Sequence, residues 1–273
     1  MISDITIGQY YPANSVLHRL DARIKLCLTA ALVGLMFFCK SFPALGLSAA
    51  MTLLAVLLSR VPLRMLWKSM RPILYILVFT AVLNLFYGKG GDSLLPDIWL
   101  LRRITLNGIY LAVFMAVRII CLVLISALLT YTTTPTLLTD AIERLLSPLA
   151  YLRIPIHTLA MMMTLALRFI PVLIEEIERI MNAQKARGAD FESGGLLSRA
   201  KALLPILVPL LISAFRRAYD LAFAMECRCY TGGKGRTRMK QMRLLPRDGL
   251  AVLVLCAYGA GVILLNRYFF HVM

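Results

Sequence analysis

Two short triplets carry the residue types best suited to bind something. Ala186-Arg187-Gly188 and Cys227-Arg228-Cys229 each set an arginine between two small residues, 41 positions apart, and each follows a long apolar-striped run. Small neighbours let a helix tip enter a groove, and the guanidinium then offers a rigid fork of five donors to a carboxylate. That is recognition chemistry, not catalysis. The runs before the triplets are related as well: Phe169-Ile-Pro171-Val-Leu-Ile overlays Leu207-Val-Pro209-Leu-Leu-Ile at an offset of 38. A duplicated device predicts two similar receiving sites on partner molecules.

Other chemistries are poorly supplied. A metal at Cys227 and Cys229 needs further ligands, and the three histidines, at 18, 157 and 271, are scattered. We expect no metal and no cofactor. Two readings of the cysteine pair stay open, inert small residues or redox-sensitive thiols. Nucleotide binding has no G-x-x-x-x-G-K-[ST] to rest on, and Gly232-Gly-Lys234-Gly-Arg-Thr237 lacks both that spacing and a preceding strand. It reads as a solvated basic loop, and the chain as no enzyme. The competing class, a membrane enzyme or secondary carrier, needs intramembrane acids or a metal-spaced cluster, and the spans offer neither.

Composition says where the triplets are carried. Of 273 residues 60% are hydrophobic, mean hydropathy is +0.77, and 30 Lys and Arg face 14 Asp and Glu. These values predict an all-α polytopic membrane protein. The basic excess is read as charge beside a lipid bilayer, with no nucleic acid implied. Expected spans are about Leu26 to Cys39, Ala44 to Leu58, Ile73 to Tyr87, Leu106 to Leu129 and Leu250 to Leu265, five in all. Gly88 to Asp92 is a turn cluster, and Leu94 to Arg103 a short apolar loop. With residue 1 inside, 24 of the basic residues lie inside and five outside, with Arg118 within a span. The expected regions are a membrane part over 1–131, a cytosolic stretch over 132–247 and a last span over 248–273.

Within 132–247, Thr136 is expected to cap a short amphipathic helix from Leu137 to Leu152. Ile156, Leu159, Met163, Ala166, Ile170, Leu173, Ile177 and Ile180 then recur at helical steps, predicting one stripe. Pro171 and Pro209 should bend their helices at matching places. Acids follow the first proline (Glu175, Glu176, Glu178) and bases the second (Arg216, Arg217), so the two helices are expected to cross and pair. For the stripe alone, helices lying on the membrane surface serve as well. Arg118 has two readings, a structural contact within the bundle or to another subunit, or a position nearer the interface.

The chain resembles the transmembrane (T) component of energy-coupling factor transporters, the family that includes the membrane component of cobalt uptake systems. The resemblance covers most of the chain. It is carried by Gly8-Gln-Tyr-Tyr-Pro12, Ser15-Val-Leu-His18-Arg-Leu-Asp21-Ala-Arg23-Ile-Lys25, Thr132-Thr-Thr-Pro135, Leu167-Arg168-Phe-Ile-Pro171, Ala183-Gln-Lys-Ala-Arg187-Gly188 and Gly235-Arg-Thr-Arg238. It implies coupling helices crossing as an X, whose tips dock into grooves on two ATP-binding-cassette subunits. It also implies a membrane-embedded substrate-binding (S) component that captures a vitamin or metal ion. The first triplet matches the family pattern, whereas the second has Cys227 and Cys229 in place of Ala and Gly.

Overall fold

A computed structural model of the chain describes residues 10–87, 106–152, 155–189, 191, 195–232 and 245–269. Eight α-helices lie among them: α1 (Ala22–Phe38), α2 (Phe42–Ser59), α3 (Leu63–Tyr87), α4 (Leu106–Thr132), α5 (Pro135–Leu146), α6 (Ile156–Ala186), α7 (Leu196–Cys227) and α8 (Pro246–Tyr268). The expected loop over 94–103, the turn at 88–92 and most of the basic loop after Thr231, Arg236 and Arg238 included, fall outside the described residues. By contacts the chain divides into two compact units, one of Gly8–Ala141 with Gln241–Met273 and one built on Ile142–Lys240.

The first unit is organised on α4, which packs against α1, α2 and α3, while α8 packs on α1 and α2. Apolar residues fill the seams. Val56, Val61, Leu66, Leu128 and Tyr131 form one buried cluster, and Cys39, Ala44, Tyr258 and Val262 another. Gly108 allows a close backbone approach, because a β-carbon there would stand 3.0 Å from the Leu85 carbonyl oxygen. Buried hydroxyls are bonded locally, as a dry interior demands: Ser48 and Thr52 donate to the carbonyls of Ala44 and Ser48, each at 2.8 Å.

Two side chains that hydropathy passes over fix the ends of α8. Asp248 accepts from the backbone N–H of Asp21 at 3.0 Å and of Leu245 at 2.8 Å. At the far end Asn266 donates to the Phe38 carbonyl at 2.6 Å and accepts from the Lys40 N–H and the Ser41 hydroxyl, both at 3.1 Å. It thus serves the polar backbone that the α1–α2 turn leaves unsatisfied. Arg118 does related work from α4. It is buried, donates through Nη2 to the Cys39 carbonyl, and lies 4.7 Å from the Phe114 ring centre. This contact reaches the residue that follows the C-terminal end of α1.

The lead-in is folded onto the same unit. His18 donates from Nε2 to the Tyr11 carbonyl at 2.9 Å, and its Nδ1 shares a hydrogen bond with the Ser15 hydroxyl at 2.7 Å. Lys25 Nζ donates to the Thr132 carbonyl at 3.0 Å, and Tyr11 N–H to that of Tyr131 at 3.0 Å. Asp21 caps α1 by accepting from the Arg23 N–H at 2.9 Å, so the helix begins before the expected span. α3 likewise starts at Leu63, ten residues ahead of the expected span, taking in Arg64, Lys68 and Arg71 and running through Pro72.

The expected cap of α5 is corrected. Pro135 is the first helical residue, where its missing N–H costs nothing, and the hydroxyl of Thr134 rather than Thr136 accepts from the Leu137 N–H at 3.4 Å. The helix also stops at Leu146, and a 3-10 turn covers Ser147–Leu152, since Pro148 cannot donate to an α-helical bond.

Candidate functional site

In the second unit α6 (31 residues) and α7 (32 residues) form a helical hairpin. Two contacts give its direction. Arg217 Nη2 meets Glu176 Oε2 at 3.0 Å, and Gln184 Nε2 donates to the Pro205 carbonyl at 3.4 Å. Moving forward along α6 therefore moves backward along α7, so the helices run antiparallel where they touch. Of the cross-helix pairs expected, Arg217 with Glu176 is made. Glu175, Glu178 and Arg216 have no ion pair among the described residues. The pair is part-exposed and contributes no more than about 1 kcal/mol; it reports register more than strength.

Both helices continue through their prolines, Pro171 in α6 and Pro205 and Pro209 in α7. The α6 stripe is only partly used. Ile170, Leu173, Ile177 and Ile180 are half-buried, whereas Leu159 and Met163 stand exposed. On α7 the covered face holds Ile206, Leu210, Ala214 and Arg217, and the opposite face carries the exposed row Leu204, Val208, Leu211, Phe215, Tyr219 and Phe223. At about 100° per residue that row lies roughly 180° around the helix from Arg217.

The two triplets close their helices in the same way. In α6, Gly188 N–H bonds to the Lys185 carbonyl at 3.0 Å and Ala189 N–H to that of Gln184 at 3.0 Å, with Gly188 at φ 87°. In α7, Cys229 N–H bonds to the Glu226 carbonyl at 2.8 Å and Tyr230 N–H to that of Met225 at 3.1 Å, with Cys229 at φ 52°. Both are Schellman motifs, with the arginine as the last half-helical residue and the following residue left-handed. At Gly188 the third position of the triplet thus has a backbone reason for lacking a side chain, whereas Cys229 takes the same left-handed conformation with a β-carbon. Arg187 and Arg228 sit where the helix dipole favours a cation, both exposed and without a partner among the described residues.

The hairpin keeps the arginines apart. Arg187 lies 11 residues past Glu176 and Arg228 11 past Arg217, in opposite directions. At ~1.5 Å per residue the tips stand up to about 33 Å from each other.

Comparison with known proteins places this geometry. The family model for cobalt transport protein, CbiQ, matches residues 13–239. The energy-coupling factor transporter transmembrane protein EcfT of Ruminiclostridium cellulolyticum is 47% identical over 270 residues, covering 99% of this chain and 100% of the relative. The proteins of that name from Clostridium kluyveri (48% over 253 residues, 93% of each chain) and Thermosediminibacter oceani (49% over 261 residues, 96% of this chain and 97% of the relative) are similarly close. The chain belongs to this family. It is an all-α, polytopic transmembrane protein of the energy-coupling factor transporter type, as its sequence predicts.

Six of the helices of this transporter protein are long and apolar enough to cross a membrane: α2, α3, α4, α6, α7 and α8. The set differs from the five expected spans. It omits α1, which has 17 residues, and includes α6 and α7. Length and composition alone therefore do not separate the hairpin helices from the membrane bundle. Each of the two also gathers Arg and Glu side chains past its central proline.

Proposed function

We propose that this chain is the non-catalytic coupling subunit of an energy-coupling factor importer. Arg187 and Arg228 are its anchors on two cytosolic ATP-binding-cassette subunits. The observation that carries the reading is the repeated tip: one Schellman ending, one exposed arginine, twice, at opposite ends of a helical pair. A protein with two such ends is built to grip two like partners, and an ATPase pair supplies them. The paired helices α6 and α7 form a bar, so movement of either gripped subunit is delivered to the other end. Energy enters through the partners, which hold the nucleotide.

The exposed apolar row on α7, opposite the face that meets α6, is assigned to the membrane-embedded S component, which captures the vitamin or transition-metal ion. Residues 132–247 lie in the cytosol together with the amino terminus, in line with the basic excess there. Arg187→Ala and Arg228→Ala should each weaken assembly with the ATPases or uncouple hydrolysis from uptake. Pull-down of both ATPases and substrate uptake in reconstituted vesicles test this. Intact assembly and uptake in the double variant would reject the reading.

A further inference from the structure

The first turns of α3 carry a charge pattern that the coupling role does not use. Arg60, Arg64, Lys68 and Arg71 are all exposed, and none makes an ion pair among the described residues. No Asp or Glu occurs from residue 22 to residue 91, so the chain itself offers nearby sequence no counter-charge. Arg60 ends α2 in a left-handed conformation at φ 54°, and Arg64, Lys68 and Arg71 follow at helical steps down one face of α3.

Beside that face, about 100° around the helix, lies an apolar groove of ≈ 600 Å³ between α2, α3 and α4. Ala49 and Thr52 line it from α2, Leu66 and Trp67 from α3, Val117 and Leu124 from α4. Small residues on α2 open the space, and Trp67, 64% exposed, stands at its rim between the apolar and the charged side chains. Tryptophan with an apolar body and a polar N–H suits the depth where headgroups meet acyl chains. An acyl-sized groove, an interfacial tryptophan and four unmatched cations on one short segment describe a single kind of ligand.

We propose that this groove and the cations beside it bind an anionic phospholipid, one acyl chain lying against Ala49, Leu66 and Leu124 and the phosphate meeting Arg64, Lys68 and Arg71. Charge complementarity selects the lipid over an uncharged one, and the groove selects it over a free phosphate, which has nothing to place there. The site is independent of the coupling tips, which belong to the other unit.

Trp67 reports on its own site once Trp99→Phe removes the second tryptophan. The full-length chain is reconstituted in phosphatidylcholine vesicles holding either brominated phosphatidylglycerol or brominated phosphatidylcholine, and quenching of Trp67 is followed against mole fraction. Half-quenching by the anionic lipid is expected at about fivefold lower mole fraction or less, with the preference narrowing at high salt. Arg64→Gln with Lys68→Gln and Arg71→Gln should abolish it. Since those charges also guide insertion, Ala49→Leu, which fills the groove and keeps every cation, should weaken the preference as well. Excess glycerol 3-phosphate should leave the quenching in place. Equal quenching by the two lipids, a preference that survives Ala49→Leu, or relief by glycerol 3-phosphate alone would overturn the proposal. So would loss of ATPase co-purification in the triple variant with lipid quenching unchanged, which would make the patch a protein contact.

Discussion

Gly188 and Cys229 occupy the same backbone position at the two tips, yet only one of them suits it. A residue with a β-carbon pays roughly 1–2 kcal/mol in the left-handed region, and Cys229 is held there at φ 52°. Cys229→Gly should therefore stabilise the end of α7, by about 0.5–1 kcal/mol once the added freedom of the unfolded chain is counted. Gly188→Ala should destabilise the end of α6 by a similar amount. Amide exchange across residues 180–189 and 221–230 measures both, and a faster-exchanging Cys229→Gly tip would contradict the shared motif. At the other end of the chain, burial lowers the His18 pKa from 6.5, helped by nearby Lys25 and opposed by its bond to the Tyr11 carbonyl. Between the lowered value and 6.5 the unfolded state holds more protons, so this site's stability is full above 6.5 and is lost as pH falls through that window. Residues 11–20 should exchange faster at about pH 5.5 than at about pH 7.5 after correction for intrinsic rates, and His18→Gln should remove the difference. The arginines were legible because residue type alone marks them. The left-handed ending was legible at Gly188, where glycine after a helix is a stop signal. At Cys229 no residue type announces it.

Helix identity followed from periodicity and hydropathy, while helix ends did not. α3 begins at Leu63 because charged residues on an exposed helix face are tolerated, whereas a hydropathy reading starts only where the charge ends at Ile73. α7 begins at Leu196, just after Gly195, seven residues before the apolar run at Leu203. The tertiary bonds of Asn266 and Asp248 escaped notice because they reach backbone groups over 200 positions away. Register is the property of α6 and α7 that can be checked directly. On a cysteine-free background, cysteines at 176 with 217 and at 184 with 205 should cross-link. The pairs 176 with 205 and 184 with 217, which a parallel arrangement would favour, should not. Replacing either member of the Glu176–Arg217 pair should shift stability by only about 0–1 kcal/mol.

At the scale of the whole molecule, the family places the chain in a membrane transporter, and the charge asymmetry predicts an orientation that labelling can check. Hydropathy cannot decide the hairpin's place, because α6 and α7 are as long and nearly as apolar as the spans. Single cysteines at 193 or 234 should resist an impermeant thiol reagent applied from outside and react once the membrane is opened. Labelling from outside would move residues 132–247 across the membrane and end the coupling reading. The most direct test is on the arginines themselves. A buried, hydrogen-bonded arginine leaves an unpaired carboxylate when truncated, at roughly 2–5 kcal/mol, or about 30- to several-thousand-fold in affinity. Lysine at either tip should rescue only in part, keeping the charge but losing the planar fork, and Cys227→Ala with Cys229→Gly should leave assembly intact. The decisive measurement is pull-down of both ATPase subunits by the Arg187→Ala, Arg228→Ala double variant, alongside uptake in reconstituted vesicles. Loss of both is the predicted result; assembly and uptake equal to the unaltered protein would contradict it.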